Sequence, residues 1–313
     1  GQDSQDSLMF GRQTSSFEQL LHRPRRTPWQ EFVGGPCLFL AKWLYGYASR
    51  RRVPTQPLID PISVVCVSDT HNSQPSVPDG DVFIHAGDLT QSGSQGELEA
   101  ALSWIRSLPH QHKIVVAGNH DLLLDPTCDG SSGRTEAQRQ ELDWSGIVYL
   151  QNELRTLSFS NGRRVTVYGS PLSPKHGNWA FQYPRAANVW TDTIPGHVDI
   201  LVTHSPSLGH LDLLKHGCRH LLEALWRVRP RLHICGHIHE GYGTEWLQFD
   251  GLQDVFERTV SEGGGFRNLM LVCLAFLRML VAPATEANCQ VVNASAVGGL
   301  RDDEKRLPFV VFI

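Results

Sequence analysis

The stretch CGHIHEGYG, residues 235–243, places His237 and His239 one residue apart behind an apolar run. On an extended chain, residues i and i+2 point the same way and sit about 7 Å apart. Both imidazoles can therefore face one site, although two ordinary histidines closing a strand read the same way. The ends of four other apolar runs carry the same residue types. Ser68-Asp69-Thr70-His71 follows VVCV, and Ala86-Gly87-Asp88 follows VFIH. Gly118-Asn119-His120-Asp121 follows IVVA, and His204 follows ILVT. Singly, each is a capped turn or a core histidine. Together they require five coincidences at equivalent places, and we reject that reading. Imidazole nitrogen combined with carboxylate or amide oxygen suits Mn, Fe, Zn, Co or Ni, and poorly suits Ca or thiolate-seeking ions.

The elements that must position these residues form a mixed α/β domain. Residues 62–67, 82–85, 113–117, 199–203 and 232–235 are continuous apolar runs, as expected of strands covered on both faces. Open α/β sheets place ligands at the carboxyl ends of their strands. A helix is expected over 95–107, where Ser94 and Glu97 have capping-box spacing and Leu98, Ala101, Leu102 and Ile105 form a stripe. A second helix covers 220–228 and stops at Pro230. Residues 154–169 read as a hairpin, with Asn161-Gly162 suited to a type I′ turn. Residues 289–297 and 308–313 supply closing strands.

With 313 residues and 41% hydrophobic content, the chain can bury a sizeable core. Its net charge of −4 is uneven: residues 1–57 hold eight Lys/Arg against four acids, which leaves −8 for the remainder. An acidic main domain argues against a nucleic-acid polymer as partner. Seven scattered cysteines without CxxC spacing, and a polar start without a secretory signal, imply a reducing, cytoplasmic setting. Asn293-Ala-Ser matches a glycosylation sequon by coincidence, since it sits in a strand-like run. Residues 1–57 read as a basic, Pro/Arg-rich extension of a domain spanning 58–313. Within it, CLFLAKWLYGYA (37–48) precedes Arg50-Arg51-Arg52. Twelve helical residues span about 18 Å, too short to cross a bilayer core of roughly 30 Å. Packing on the domain is the favoured reading, and peripheral membrane contact through 37–52 is the second. Residues 251–285 form an insertion with a flexible SEGGGF loop. Its apolar helix at 268–283 is expected to bury itself on the domain, with membrane or partner docking as the alternative.

The ordered set D-x-H, G-D, G-N-H-D, H and G-H-x-H resembles the calcineurin-like metallophosphoesterases across residues 62–313. IHAGDLT, AGNHD, YGSP, THSPSLGHLD and CGHIHEGYG are similar to the metallophosphoesterase-domain-containing subgroup, itself similar to class III cyclic-nucleotide phosphodiesterases. The resemblance implies a four-layer αββα sandwich with two Mn, Fe or Zn ions at the sheet edges. Asp69, His71 and His239 would hold one ion, Asn119, His204 and His237 the other, and Asp88 would bridge them. A hydroxide shared by the ions would attack phosphorus in line, with His120 outside the ligand set assisting the leaving group. Asp121 could fix the tautomer of His120 or serve the turn. His85 and Asn72 flank the ligands, His85 being either a second-layer group or a satisfied core histidine. Lys175, His176, Asn178 and Trp179 form a cationic and aromatic loop that would meet the substrate or simply face solvent. The implied activity is hydrolysis of a small phosphodiester, cyclic nucleotides among the candidates. The alternatives are a phosphomonoesterase or protein phosphatase, and a metal-binding scaffold with vestigial activity.

Overall fold

The computed structural model describes residues 27–51, 60–128, 136–281, 288–299 and 303–313. Helices α1 (Pro28–Gly34) and α2 (Pro36–Arg51) precede β1 (Ser63–Val67), β2 (Val82–Ala86), α3 (Gln95–Ser107) and β3 (His112–Val116). Next come α4 (Glu136–Glu141), β4 (Val148–Tyr149), β5 (Glu153–Ser158), β6 (Arg164–Ser170), β7 (Ser173–Pro174) and β8 (Gln182–Tyr183). They are followed by β9 (Ile200–Thr203), α5 (Arg219–Val228), β10 (Leu232–Cys235), β11 (Gly243–Leu247) and α6 (Gly251–Ser261). Last are α7 (Phe266–Val281), β12 (Cys289–Asn293), β13 (Val297–Gly298), β14 (Glu304–Lys305) and β15 (Phe309–Phe312).

Two sheets face each other. The first has the order β15-β1-β2-β3-β4, parallel except for the antiparallel edge strand β15. The second has the order β11-β12-β10-β9-β6-β5, parallel in its middle with β11 and β5 antiparallel at the edges. Strand alternation builds the layers. Val64 and Cys66 of β1 point inward and meet Ile200, Val202 and Ile234 of the other sheet. Val65 and Val67 point outward under Leu98, Leu102 and Ile105 of α3. On the far side, Leu201 and Cys235 lie under Leu221 and Leu225 of α5. The result is the mixed α/β domain that the apolar runs predict, layered as the sandwich that the family resemblance implies. Both halves of the α3 capping box form: Ser94 Oγ accepts from the Glu97 amide, and the Glu97 carboxylate accepts from the Ser94 amide.

One expectation is corrected, and two helices fall where the favoured reading has them. The 153–170 hairpin closes with a three-residue loop, not a type I′ pair. The Gly162 amide donates to Phe159 O, and only Gly162 of the two turn residues has a positive φ, 82°. Residues 36–51 are packed on the domain as α2, the favoured reading of that segment. Ala41, Tyr45 and Ala48 are buried, the Tyr45 ring stacks on Phe256 of α6 at 4.0 Å, and Ser49 Oγ donates to Trp246 O of β11. Burying a Phe256-sized side chain contributes roughly 1.5–3 kcal/mol. The rest of the extension, residues 1–26 and 52–57 with Arg52, lies outside the described residues, as do 282–285 of the insertion. Finally, α7 buries only one side, through Asn268 and Val272. No described helix is long and apolar enough to cross a membrane. Asn293 is buried and donates to Leu211 O and Ile238 O, so its sequon is structural.

Candidate metal centre

The carboxyl ends of β1, β2, β3, β9 and β10 meet at one edge of the sandwich. They carry Asp69 and His71, Asp88, Asn119, His204, and His237 and His239 respectively. At this edge the chain turns sharply: Asp69 (φ 50°), His71 (φ 42°), Asp88 (φ 54°) and His237 (φ 65°) are all left-handed. Asp and His tolerate this region better than most residues, at a cost of about 1–3 kcal/mol each. Two glycines make room. A Cβ on Gly236 would strike Ser68 Oγ and Asp69 Oδ2, and one on Gly118 would strike Asp88 Oδ1.

Three overlapping groups of donors result. Asp69, His71 and His239 offer ligand atoms within 4.8 Å of one another, as do Asp88, His204 and His237, and His71 and Asp88 do so with His120 as well. Asp88 stands between the groups, with Oδ2 3.3 Å from His204 Nε2 and 3.8 Å from His71 Nε2. Asn119 Oδ1 is 3.0 Å from His204 Nε2. Asp69 Oδ1 is 3.3 Å from His239 Nε2, and its carboxylate also accepts from the His237 amide at 3.0 Å and from Ser295 Oγ at 2.9 Å. Burial opposes ionisation of both aspartates. Nearby histidines win, holding Asp69 well below the usual carboxylate range and Asp88 lower than normal too. Burial lowers His71 and drives His237 down to about 3, so both present neutral nitrogens.

The geometry of the donor set itself suits a cation. His204 Nδ1 pairs with Ala86 O at 3.0 Å, and its Nε2 faces the oxygens of Asp88 and Asn119. Burial disfavours the His204 imidazolium, yet Asp88 outweighs it and lifts the group to about 9. In other words, three acceptors demand a positive charge between them. Both ring nitrogens of His71 are buried without a hydrogen-bond partner. These residues fit metal ions.

Around the donors lies a cavity of about 400 Å³, lined also by His120, His176, Leu213, His216, Ile238 and Glu240. A second cavity of about 520 Å³ shares Leu213 and Glu240 with it and is walled by Trp43, Tyr47 and Arg50 of α2. His120 stands against the first cavity. Its amide donates to Asp88 Oδ1 at 2.7 Å, its Nδ1 pairs with Gln91 O at 2.8 Å, and its ring stacks on Trp179 at 4.2 Å.

Asp121 does not hold His120. Its buried carboxylate accepts from the amides of Gly118, Leu89 and Thr90 and from Thr90 Oγ1, bracing the turn between β3 and the β2 loop. Burial and the charge of Asp88 raise it to about 6. Asn72 is likewise turned away: its Nδ2 donates to Glu97 of α3, and it borders a different cavity. Of the substrate-loop candidates, His176 enters the pocket, its ring 4.8 Å from that of His237, and Trp179 backs His120. Lys175 and Asn178 are exposed and do not line it. His85 is a satisfied core histidine, receiving the Gly87 amide on Nδ1 and pairing with Thr70 Oγ1 through Nε2. Sequence reasoning missed Gln91, Ser295, Leu213, His216 and Glu240. Gln91 acts through its carbonyl, which no side-chain pattern reports, and the others come from loops far along the chain.

Two facing sheets thus bring four histidines, two aspartates and an asparagine together at one edge. The chain belongs to the calcineurin-like phosphoesterase family, whose model matches residues 62–241, more than half its length. It is 40% identical over 205 residues to human metallophosphoesterase domain-containing protein 1, covering 57% of this chain and 61% of that one. A UPF0046 protein of Caenorhabditis elegans is 37% identical over 201 residues, covering 58% and 65%. A protein of Emericella nidulans named probable rhamnogalacturonate lyase C is 43% identical over 284 residues, 89% of this chain. The chain spans only 27% of that protein and less than two thirds of the other two.

Proposed function

We propose that the chain hydrolyses small phosphodiesters, cyclic nucleotides among the candidates, with two transition-metal ions of the Mn, Fe or Zn type. The observation that supports a diester is the pocket wall. Beyond the convergent donors it presents histidines, Leu213, Ile238 and Glu240, with no lysine or arginine among the described lining residues. A monoester carries up to one more negative charge than a diester and is commonly met by a fixed cation. Glu240 opposes that charge.

When bound, the ions supply an ionised water at neutral pH and offset charge on the phosphoryl oxygens. The chain's own groups do the rest. Asp69 and Asp88 stay ionised to match the ions, and Asp88 reaches both halves of the site. Gln91 O engages Nδ1 of His120, and Trp179 fixes the ring plane. Nε2 is then the nitrogen placed to give a proton to the leaving-group oxygen. The bond from the His120 amide to Asp88 ties the position of this acid to the shared carboxylate.

The deciding experiment compares bis-p-nitrophenyl phosphate with p-nitrophenyl phosphate under added Mn²⁺. Preference for the diester is expected, and preference for the monoester would overturn the reading. His120→Ala should lose about 10²–10⁴ in rate while metal content stays constant. Equal loss of metal would make His120 a ligand instead.

A further inference from the structure

Apolar exposure in this protein is concentrated in one place. Sixteen large hydrophobic side chains are exposed among the described residues, and eleven lie on α1, α2 and α7. On α7, Phe266, Met270, Leu274, Leu277 and Val281 recur at three- and four-residue spacing along the side opposite buried Val272. Phe266 is 77% exposed and Val281 87%. On α2, Leu40, Trp43 and Tyr47 form a matching stripe, and Trp29 and Val33 extend it onto α1. The stripes adjoin, since Tyr47 touches Phe276 of α7 at 6.0 Å between rings and stacks with Trp43 at 6.1 Å.

The charge on these helices is as one-sided as their apolarity. They carry Lys42, Arg50, Arg51, Arg267 and Arg278, all exposed, against the single acid Glu31. Beyond residue 57 the chain is net acidic, by −8. We propose that the outer face of α1, α2 and α7 seats the protein on an anionic lipid surface. The apolar stripe enters the headgroup boundary, Trp29, Trp43 and Tyr47 sit at its edge, and the five cations meet lipid phosphates and carboxylates. A second copy of the chain is the poorer occupant, because it would set the same five cations against these five. The acidic remainder, repelled by the same lipid, favours this one orientation.

The test uses the full chain and sedimentation with vesicles of phosphatidylcholine, either alone or mixed equally with phosphatidylserine. Binding to the mixed vesicles is expected, weakening as salt rises. Arg267→Gln and Arg278→Gln should each weaken it about fivefold. The pair Leu274→Glu and Leu277→Glu should abolish it while bis-p-nitrophenyl phosphate turnover, which reports the fold, stays unchanged. Absence of binding to the mixed vesicles would overturn the proposal. So would equal binding to neutral ones, or a concentration-dependent dimer in light scattering that the leucine variants dissolve.

Discussion

Two histidines of this molecule are fully buried beside carboxylates, and their surroundings differ in one respect. His210 lies beneath α2, with Nε2 3.0 Å from Glu257 and Nδ1 3.3 Å from Glu245. Trp226 Nε1 and Gln253 Nε2 donate to the same Glu257 carboxylate. Burial resists its charge, but the two glutamates hold its proton to about pH 10. There each ring nitrogen faces a glutamate of its own. At His204 one nitrogen is tied to Ala86 O, and the other faces two oxygens, those of Asp88 and Asn119. Both imidazoles are fully buried. What separates a structural ion pair from a seat for a cation is convergence: His204 gathers with Asp88 and His237, whereas His210 belongs to no such group of three among the described residues.

The sharpest way to break this contrast is at Asp88. Asp88→Asn should reduce turnover on the order of 10³-fold and lower the metal bound per chain, with little change in unfolding by urea. Near-normal turnover would remove Asp88 from its shared position. The next effect belongs to the other cluster. His210→Ala leaves buried Glu257 and half-buried Glu245 without their cation and should cost about 3 kcal/mol of stability, with turnover per folded molecule intact. Loss of turnover at unchanged stability would instead join His210 to the active site. The same pair carries a pH signature. Folded His210 keeps its proton to about 10, whereas the unfolded chain releases it near 6.5. Its stabilisation is therefore complete below about 6.5 and fades as pH climbs toward 10. Melting temperature should fall more steeply over that window in the natural chain than in His210→Asn, and parallel curves would refute the pairing. The smallest effect is at Trp179. Losing its stack on His120, worth about 0.5–1.5 kcal/mol, should slow Trp179→Ala by about tenfold or less. A similar loss in Trp179→Phe would show that the indole does more than hold the ring.

Strand ends were the legible part of the sequence. Apolar runs covered on both faces mark β1, β2, β3, β9 and β10, and the polar residue after each lands at one edge. All seven donors follow from that rule. Asp121 shows where it stops. A neighbour in sequence is not a neighbour in space when the chain turns through 3₁₀ geometry, and Asp121 faces the backbone of Leu89 and Thr90 while His120 faces the pocket. The His210 cluster was invisible for a related reason, since its partners sit 35 and 47 positions later, on β11 and α6. Composition left α2 between two readings, packing and membrane contact, because a basic, aromatic segment looks alike in both settings, and the structure packs it on the domain.

Asp69, His71, Asp88 and Asn119 hang from one sheet, whereas His204, His237 and His239 hang from the other. Elsewhere the two sheets meet mainly through aliphatic side chains, with polar ties such as His112 Nε2 to Ser158 O and Arg163 Nη1 to Ile313 O. At this edge the donors face one another across the seam, so a cation held by both sets would also be a rivet between the two sheets.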